Sequence, residues 1–472
     1  MKQALHERLS QYDQQHLLDH WDALTEAERT QLAEQCRGID FDQLAWLFRH
    51  QSAAENWEQL ARRAEAPPSF RLHDNIPPIS AAAARKRGEE VLAAGQVGVI
   101  LVAGGQGTRL SFDHPKGMYP IGAVSGATLF QILLEKLLAS ARRHGVSIPL
   151  YVMTSHATHA ETAEYFQQNQ RFGLPADDVR LFRQGTMPAV DRGTGRVLLA
   201  ERCQLALSPD GHGGMLAALV ASGALDEIRS RGIEHLFYLQ VDNPLVKVCD
   251  REFLGYHVLS NSELSTQVVA KRTLRDKLGN VVSIDGKLRI LEYSDLNPLS
   301  DEILDRKMPD GQPVFWAGNT GVHVFERALL ERAAGDAETL PFHIAKKVVP
   351  HVNSAGKAVE PREANAIKFE RFIFDLLPAA RRGIVVEVSE AEVFAPIKNA
   401  PGDERDSPDT VARQMIALHT EWLSAAGAKV KGSVPVEISP LFALDAEEVR
   451  RRVKSGTKIT EPTYFGPPKA AG

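Results

Sequence analysis

Three glycines, an arginine and a lysine follow directly on an apolar run: Leu101-Val-Ala-Gly-Gly-Gln-Gly-Thr-Arg-Leu110, with Lys116 six residues further on. Glycine carries no side chain, so Gly104, Gly105 and Gly107 can turn bare N–H groups toward an anion. If the loop folds back, Arg109 and Lys116 add two cations. That set suits a triphosphate whose negative charge is redistributed in a reaction, not merely held. A strand-to-helix turn with its charges in water is the plain alternative at this spacing. The two commoner phosphate loops fit poorly. No G-x-x-x-x-G-K-[ST] occurs, and Leu110 stands where a dinucleotide fingerprint has its third glycine, which disfavours an NAD-dependent oxidoreductase.

Asp242 follows the apolar run Leu236–Val241, so it is expected at the carboxyl end of a strand, where α/β sheets bind ligands. A hard carboxylate there can hold Mg²⁺ against phosphate oxygens, and a turn or N-cap aspartate fits the same spacing. Other clusters carry less. His156 and His159 stand three apart with no H-E-x-x-H pattern, and no G-x-S-x-G elbow lies near a candidate histidine. Cys36, Cys203 and Cys249 are widely separated and read as small core residues of a reducing compartment.

Several elements must position these groups. Residues 1–94 read as a helical region: Leu5, Leu9 and Tyr12 share a face, Thr25-x-x-Glu28 is a capping box for a helix closed by Gly38, and Asp40 caps a third. Pro67-Pro68 and Pro77-Pro78 interrupt it before a helix at about 80–94. From Val97 short apolar runs alternate with helical segments, the pattern of a Rossmann-like, mostly parallel α/β sheet, assigned to a catalytic domain at 95–380. Strands are expected at Gly98–Ala103, Leu150–Thr154, Val179–Phe182, Leu236–Val241, Gln267–Ala270 and Val314–Ala317. Helices are expected at Leu129–Arg142 and Thr158–Gln168, and Asp285-Gly286 joins a hairpin of Val281–Ile284 and Leu288–Tyr293. A helix at Phe369–Leu377, ended by Pro378, leads into a small C-terminal α+β domain at 381–472. That domain has a strand at Ile384–Val388, a helix reaching about Ala426 and a disordered tail from Gly466.

A chain of 472 residues, 43% of them hydrophobic, can bury a large core. Its net charge of −5 and scattered basic residues argue against nucleic acid as a partner, leaving small molecules. No secretory leader and no bilayer-length apolar run is visible, so a cytoplasmic protein is expected, with no membrane partner.

LVAGGQGTRLSFDHPKGMYPIG (101–122) resembles the signature loop of the UDP-sugar pyrophosphorylase family of uridylyltransferases, and the form GGQGTRL…PKGMY is most like its eukaryotic-type UDP-N-acetylglucosamine members. The resemblance continues in order through FRQGTMPAV (182–190), SPDGHGG (208–214), YLQVDNPLVKV (238–248) and LEYSDL (291–296). It then takes in AGNTGVHVF (317–325), NAIKFERFIFDLLP (365–378) and APIKNAPGDERDSPDTVAR (395–413), covering about residues 90–440 in all.

That resemblance implies a GT-A-like nucleotidyltransferase fold, and transfer from UTP to a hexose 1-phosphate to give a UDP-sugar, UDP-N-acetylglucosamine first, and pyrophosphate. A UDP-glucose or broad UDP-sugar enzyme is the alternative, and a nucleotide-sugar sensor the non-catalytic one. It implies Mg²⁺ at Asp242 and catalytic roles for Arg109, Lys116 and Lys398. Leu101, Ala103, Gly104, Gly105, Gly107, Thr108, Lys116, Gln184, Gly211, Asp242 and Lys368 would contact the nucleotide, and His212, Glu292 and Asn319 the sugar. His212 departs from the N-acetylglucosamine pattern, which has Asn there; His is the residue of the UDP-glucose and broad-specificity enzymes. A monomer or weak oligomer is expected.

Overall fold

VGVILV at Val97–Val102 is apolar at every position, and five of its six residues are buried, so this strand must be covered on both faces. The computed structural model describes residues 1–50, 56–73, 78–273, 275–336 and 339–467. Pro77 and most of the expected tail, from residue 468, lie outside the described residues. Packing groups the chain into two units: Met1–Asn56, Gln184–Ala218 and Asp336–Asp375 form one, and Trp57–Arg183, Leu219–Gly335 and Leu376–Gly472 the other. The segments 1–94, 95–380 and 381–472 are a division along the chain, whereas these units are a division by packing.

The second unit holds a ten-stranded sheet: β1 (Ser69–Phe70), β2 (Val97–Val102), β3 (Leu150–Thr154), β4 (Val179–Arg183), β5 (His235–Gln240), β6 (Leu264–Ala270), β7 (Asn280–Ile284), β8 (Lys287–Leu291), β9 (Ala317–Glu326) and β10 (Gly383–Glu387). The order is β1-β10-β6-β9-β5-β2-β3-β4, with β7 pairing both β8 and β9. Along that path only β9 runs antiparallel to its neighbours, so the sheet is the mixed, mostly parallel one expected. The chain steps outward from β2 through β3 to β4, then returns to lay β5 on the other side of β2. The carboxyl ends of β2 and β5 therefore flank a topological switch point, the place where such sheets bind ligands.

Local chemistry explains the elements around the sheet. Thr128 Oγ1 accepts from Gln131 N–H to start the helix Leu129–His144, and Gly145 ends it at φ +67°. Asp285 and Gly286 both take positive φ in the β7–β8 turn. The helices Ala81–Ala93 and Arg251–Leu259 cross closely because Gly88 and Gly255 lack side chains. A Cβ at either would lie 1.7 Å from a carbonyl oxygen of the other helix, Arg251 O or Ala84 O. The helix Pro408–Ala425 supports a small core of Leu423, Val436, Ile438 and Val449 near the chain's end.

In the first unit, Thr25 and Glu28 form the capping box that opens the helix Glu26–Arg37, and Asp40 Oδ1 accepts from Gln43 N–H at 2.9 Å. Leu5, Leu9, Leu32, Phe41 and Leu44 pack with Val190, Ile367 and Phe369. Those last residues belong to a three-stranded sheet of Phe342–Lys347, Ala366–Arg371 and Val190–Asp191.

Two expectations are corrected. Phe369–Leu377 is not an α-helix: Ala366–Arg371 is a strand paired with Phe342–Lys347, and a 3₁₀ segment at Ile373–Ala379 follows and contains Pro378. The apolar spacing suits a helix, but the partner strand satisfies the same backbone. Val314–Ala317 is not a strand of its own; β9 begins at Ala317 and continues through polar Asn319 and Thr320 to Glu326. Among the described residues no helix is long and apolar enough to cross a membrane.

Candidate active site

The sheet brings the loop after β2 and the residue after β5 side by side. Val102 pairs with Gln240, and Val241 N–H donates to Val102 O at 3.0 Å, so the chain reaches Gly104 and Asp242 at adjacent strand ends. The loop then doubles back: Lys116 N–H donates to Gly105 O at 3.0 Å, and Gly107 N–H to His114 O at 2.9 Å. Leu110 is buried under a 3₁₀ turn at Thr108–Leu110, and Ser111 reverses the chain at φ +52°. No helix opens at the glycines, which removes the dinucleotide reading on geometry as well as spacing.

This fold-back sets Lys116 Nζ 3.3 Å from Asp242 Oδ2, with side-chain exposures of 17% and 16%. The pair is loose and unsaturated: two ammonium donors and Asp242 Oδ1 have no partner among the described residues. A hard carboxylate oxygen at a strand end, with no partner among the described residues and beside the glycine loop, is of a type that fits Mg²⁺. Leu101 and Ala103 are buried beneath the loop, whereas Gly105, Thr108 and Arg109 are exposed. Arg109 has no hydrogen-bond or ion-pair partner among the described residues.

Gly107 and Gly105 are glycines for different reasons. A Cβ on Gly107 would sit 2.6 Å from Phe112 O, so the loop's own packing excludes it. A Cβ on Gly105 meets nothing within 4 Å, and its φ is not in the left-handed region. Nothing in the protein requires Gly105 to be glycine, and a ligand approaching the backbone would.

Lys398 is led to the same edge by a residue the sequence reading passed over. Asn243 Nδ2 donates to Val393 O at 2.8 Å, its Oδ1 accepts from Ala395 N–H at 3.1 Å, and Ile397 N–H donates to Asp242 O at 2.9 Å. Lys398 follows, exposed. Only its place in the VDN run marked Asn243 beforehand. Asn319 and Glu292 meet around Gly279: Asn319 N–H donates to Gly279 O at 2.8 Å, and Glu292 Oε1 lies 2.8 Å from where a Gly279 Cβ would stand. Asn319 itself pairs with Val268 of β6, just past an irregularity in the β6–β9 ladder.

The remaining predicted residues lie in the first unit. Gln184, 5% exposed, donates from Nε2 to Gly211 O at 3.3 Å and Asp210 Oδ1 at 3.4 Å. Asp210 was missed by sequence, yet Gly185 and Gly214 make room for its carboxylate; a Cβ would lie 2.7 and 2.1 Å from it. Gly211 has φ +83°, and its Cβ would stand 2.4 Å from Arg371 O. His212 Nδ1 accepts from Ile373 N–H at 3.2 Å, and its ring stacks on Phe372 at 5.4 Å. Burial, then the neighbouring His343, pushes the imidazole down to about 4, so the ring is neutral near pH 7. Lys368 is half-buried, three residues along the strand from Arg371. His159 makes no metal site with His156: its Nδ1 shares a hydrogen bond with Thr154 Oγ1 at 2.8 Å.

A glycine loop and a carboxylate loosely paired with a lysine at the switch point of a mostly parallel sheet define a nucleotide-handling α/β protein. The sequence profile of the UTP–glucose-1-phosphate uridylyltransferase family, UDPGP, matches residues 47–443. The chain belongs to this family and is a uridylyltransferase. It is 39% identical over 370 residues to the Saccharomyces cerevisiae UDP-N-acetylglucosamine pyrophosphorylase, covering 77% of each chain. The crystal structure of the Trypanosoma brucei uridine diphosphate N-acetylglucosamine pyrophosphorylase superposes with a TM-score of 0.81 at 25% identity, covering 96% of this chain and 94% of that one. A Leishmania major UDP-glucose pyrophosphorylase shares the fold at a TM-score of 0.58 and 16% identity, over 79% of this chain and 77% of that one.

Proposed function

We propose that the protein joins UTP to N-acetylglucosamine 1-phosphate, giving UDP-N-acetylglucosamine and pyrophosphate. An oxygen of the sugar phosphate attacks the α-phosphorus of UTP in line, the bond from that phosphorus to the bridging oxygen breaks, and pyrophosphate leaves. Such transfers need positioning and charge neutralisation more than covalent help. The observation that carries the reading is Gly105, exposed, with empty space where a side chain would be, in a loop that also holds Lys116 beside Asp242.

The N–H groups of Gly104, Gly105 and Thr108 bind phosphate oxygens, whereas Gly107 N–H, expected to be bare, is taken by His114 O and shapes the loop; Leu101 and Ala103 hold the loop's base. Arg109, Lys116 and Lys398 offset the charge that grows on the leaving pyrophosphate. Asp242 would hold Mg²⁺, which when bound neutralises phosphate oxygens. Gln184 offers an amide to the uracil edge, Gly211 brings its backbone to the nucleotide, and Lys368 adds a cation. Glu292 and Asn319 take sugar hydroxyls or the N-acetyl group, with His212 as a third sugar-side residue. The sugar assignment is supported by the names of the yeast and trypanosome relatives. His212 favours a second reading, a UDP-glucose or broad-specificity enzyme. The protein works in the cytoplasm as a monomer or weak oligomer.

The test is pyrophosphate release from UTP with glucose, galactose, N-acetylglucosamine and N-acetylgalactosamine 1-phosphates. N-acetylglucosamine 1-phosphate is expected to give the highest kcat/KM. Release with none of the four refutes uridylyl transfer to these sugars, and a preference for glucose 1-phosphate establishes the second reading.

A further inference from the structure

The far end of β5 holds a cluster for which the transferase reaction has no use. His235 on β5, Glu326 on β9 and His257 on the helix Arg251–Leu259 each offer a ligand atom, and the three atoms lie within 4.8 Å of one another. His235 and Glu326 are directly paired across the β5–β9 ladder, so their side chains share one sheet face. Gly255 lets the helix carrying His257 sit close to its neighbouring helix, fixing it in place.

Two polar atoms here are buried with no hydrogen-bond partner among the described residues: His235 Nδ1 and His257 Nε2, on residues only 6% and 0% exposed. Such orphans are uncommon and call for an explanation. The proton on His257 can be placed. Ser262 Oγ–H donates to Leu264 O at 3.0 Å, so its oxygen accepts from Ser265 Oγ–H, also at 3.0 Å. Ser265 has then spent its only proton, so at 2.7 Å it must accept from His257 Nδ1–H. His257 Nε2 is thereby left as a bare lone pair aimed into the cluster. A ring nitrogen held by an outer hydrogen bond while the other faces two further ligands is how metal-binding histidines are oriented. The carboxylate of Glu326 has no partner among the described residues.

From these contacts we infer a binding site for a divalent transition-metal ion, Zn²⁺ by ligand chemistry, held by His235 Nδ1, His257 Nε2 and Glu326, with a fourth position open. Two imidazoles and a carboxylate suit zinc. Around a tetrahedral zinc, ligand atoms stand about 3.3 Å apart, so small side-chain rotations close the observed spacing. Asp242 is seven residues from His235 along the same strand direction, about 23 Å away, so this ion is separate from the one proposed there. It would tie β5, β9 and the helix together, leaving the chemistry to the opposite end.

The test uses the full chain, stripped with chelator and dialysed against Zn²⁺ in excess Mg²⁺, with bound metal counted by mass spectrometry and geometry read from the visible spectrum of the Co²⁺ form. One Zn²⁺ per chain, a raised Tm and tetrahedral Co²⁺ bands are expected. Glu326→Gln, half-exposed and away from the substrate residues, should weaken zinc binding about 10-fold or more while transfer activity shows the fold intact. Ser265→Ala should weaken it about 10-fold by freeing the His257 tautomer, and Asp242→Asn should leave it unchanged. A stripped chain that takes up no Zn²⁺ overturns the site, leaving a bridging water between the rings. So does uptake that Glu326→Gln and Ser265→Ala both leave unaltered.

Discussion

The strand ends of the second unit and the segments around Gln184 and His212 in the first unit are both rich in glycine, but for opposite reasons. At the strand ends the groups are charged: Lys116 and Asp242 form a loose, mostly buried pair, Lys398 and Arg109 are exposed, Arg109 has no partner among the described residues, and Gly105 faces empty space. In the first unit Gln184 and His212 are neutral and closed, although the Asp210 carboxylate and Lys368 belong to the same unit. Gln184 bonds inward, His212 is uncharged, and Gly211 and Gly214 are glycines because Arg371 O and Asp210 occupy the space a Cβ would need. Gly105 is required by nothing inside the protein, whereas Gly107 in the same loop and Gly211 and Gly214 of the first unit are required by the protein's own packing. On the proposed reaction, charge for phosphate is kept available, and groups suited to reading neutral rings and amides are held in fixed orientation.

The sharpest way to break this contrast is Lys116→Ala. If the open region acts on phosphate, kcat/KM falls by about 10³-fold, roughly 4 kcal/mol of transition-state stabilisation, in line with loss of a preorganised electrostatic group. Tm should barely move, because among the described residues the lysine's one side-chain partner is a loose 3.3 Å contact with Asp242. A large loss of Tm with intact kcat/KM would make Lys116 a structural residue. The opposite signature is expected of Gly211→Ala. A positive φ and a 2.4 Å clash with Arg371 O should cost about 3 kcal/mol of stability, read by urea unfolding. Gly105→Ala completes the pair: stability within about 1 kcal/mol of the parent, and kcat/KM lower by about 10²-fold as the methyl group meets the phosphates. If Gly105→Ala keeps full activity, no ligand approaches that backbone and the comparison fails.

The sheet and the open region were readable in the sequence because both rest on short-range signals. VGVILV, the capping box at Thr25 and Glu28, and Asp285-Gly286 each specify their structure within a few residues. What stayed hidden depends on contacts distant in the chain. Phe369–Leu377 reads as helix until Phe342–Lys347 pairs with Ala366–Arg371, and β9 opens with Ala317-Gly318-Asn319-Thr320, which carry no apolar run. Asp210 and Asn243 act by holding other residues, so their own types gave little sign of it. His235 and His257 stand 22 positions apart with no metal-ligand spacing, and only the strand–helix packing aims them at one point.

His212→Asn gives the smallest effect and probes the closed region most finely. An asparagine Oδ1 can take over the Ile373 N–H that His212 Nδ1 now accepts, so at pH 7 stability should change by less than about 1 kcal/mol. Acid separates the two. The folded-state pKa of His212 is lowered to about 4, below the unfolded value of 6.5, so the unfolded chain takes up the proton first as pH falls. The parent therefore loses stability from pH 6.5 toward 4, and the loss is complete below 4. Its size is on the order of 2 kcal/mol, below the full shift because the ring keeps some solvent contact. His212→Asn should flatten that part of the pH profile, measured as unfolding free energy against pH. If His212 also reads the sugar, the substitution should move kcat/KM about 10-fold toward N-acetylglucosamine 1-phosphate relative to glucose 1-phosphate. A flattened profile with an unchanged sugar ranking would mean that His212 only anchors the Ile373 segment. Sugar selection would then rest with Glu292 and Asn319 around Gly279, in the open region, and the division between a charged phosphate side and a neutral recognition side would have to be redrawn.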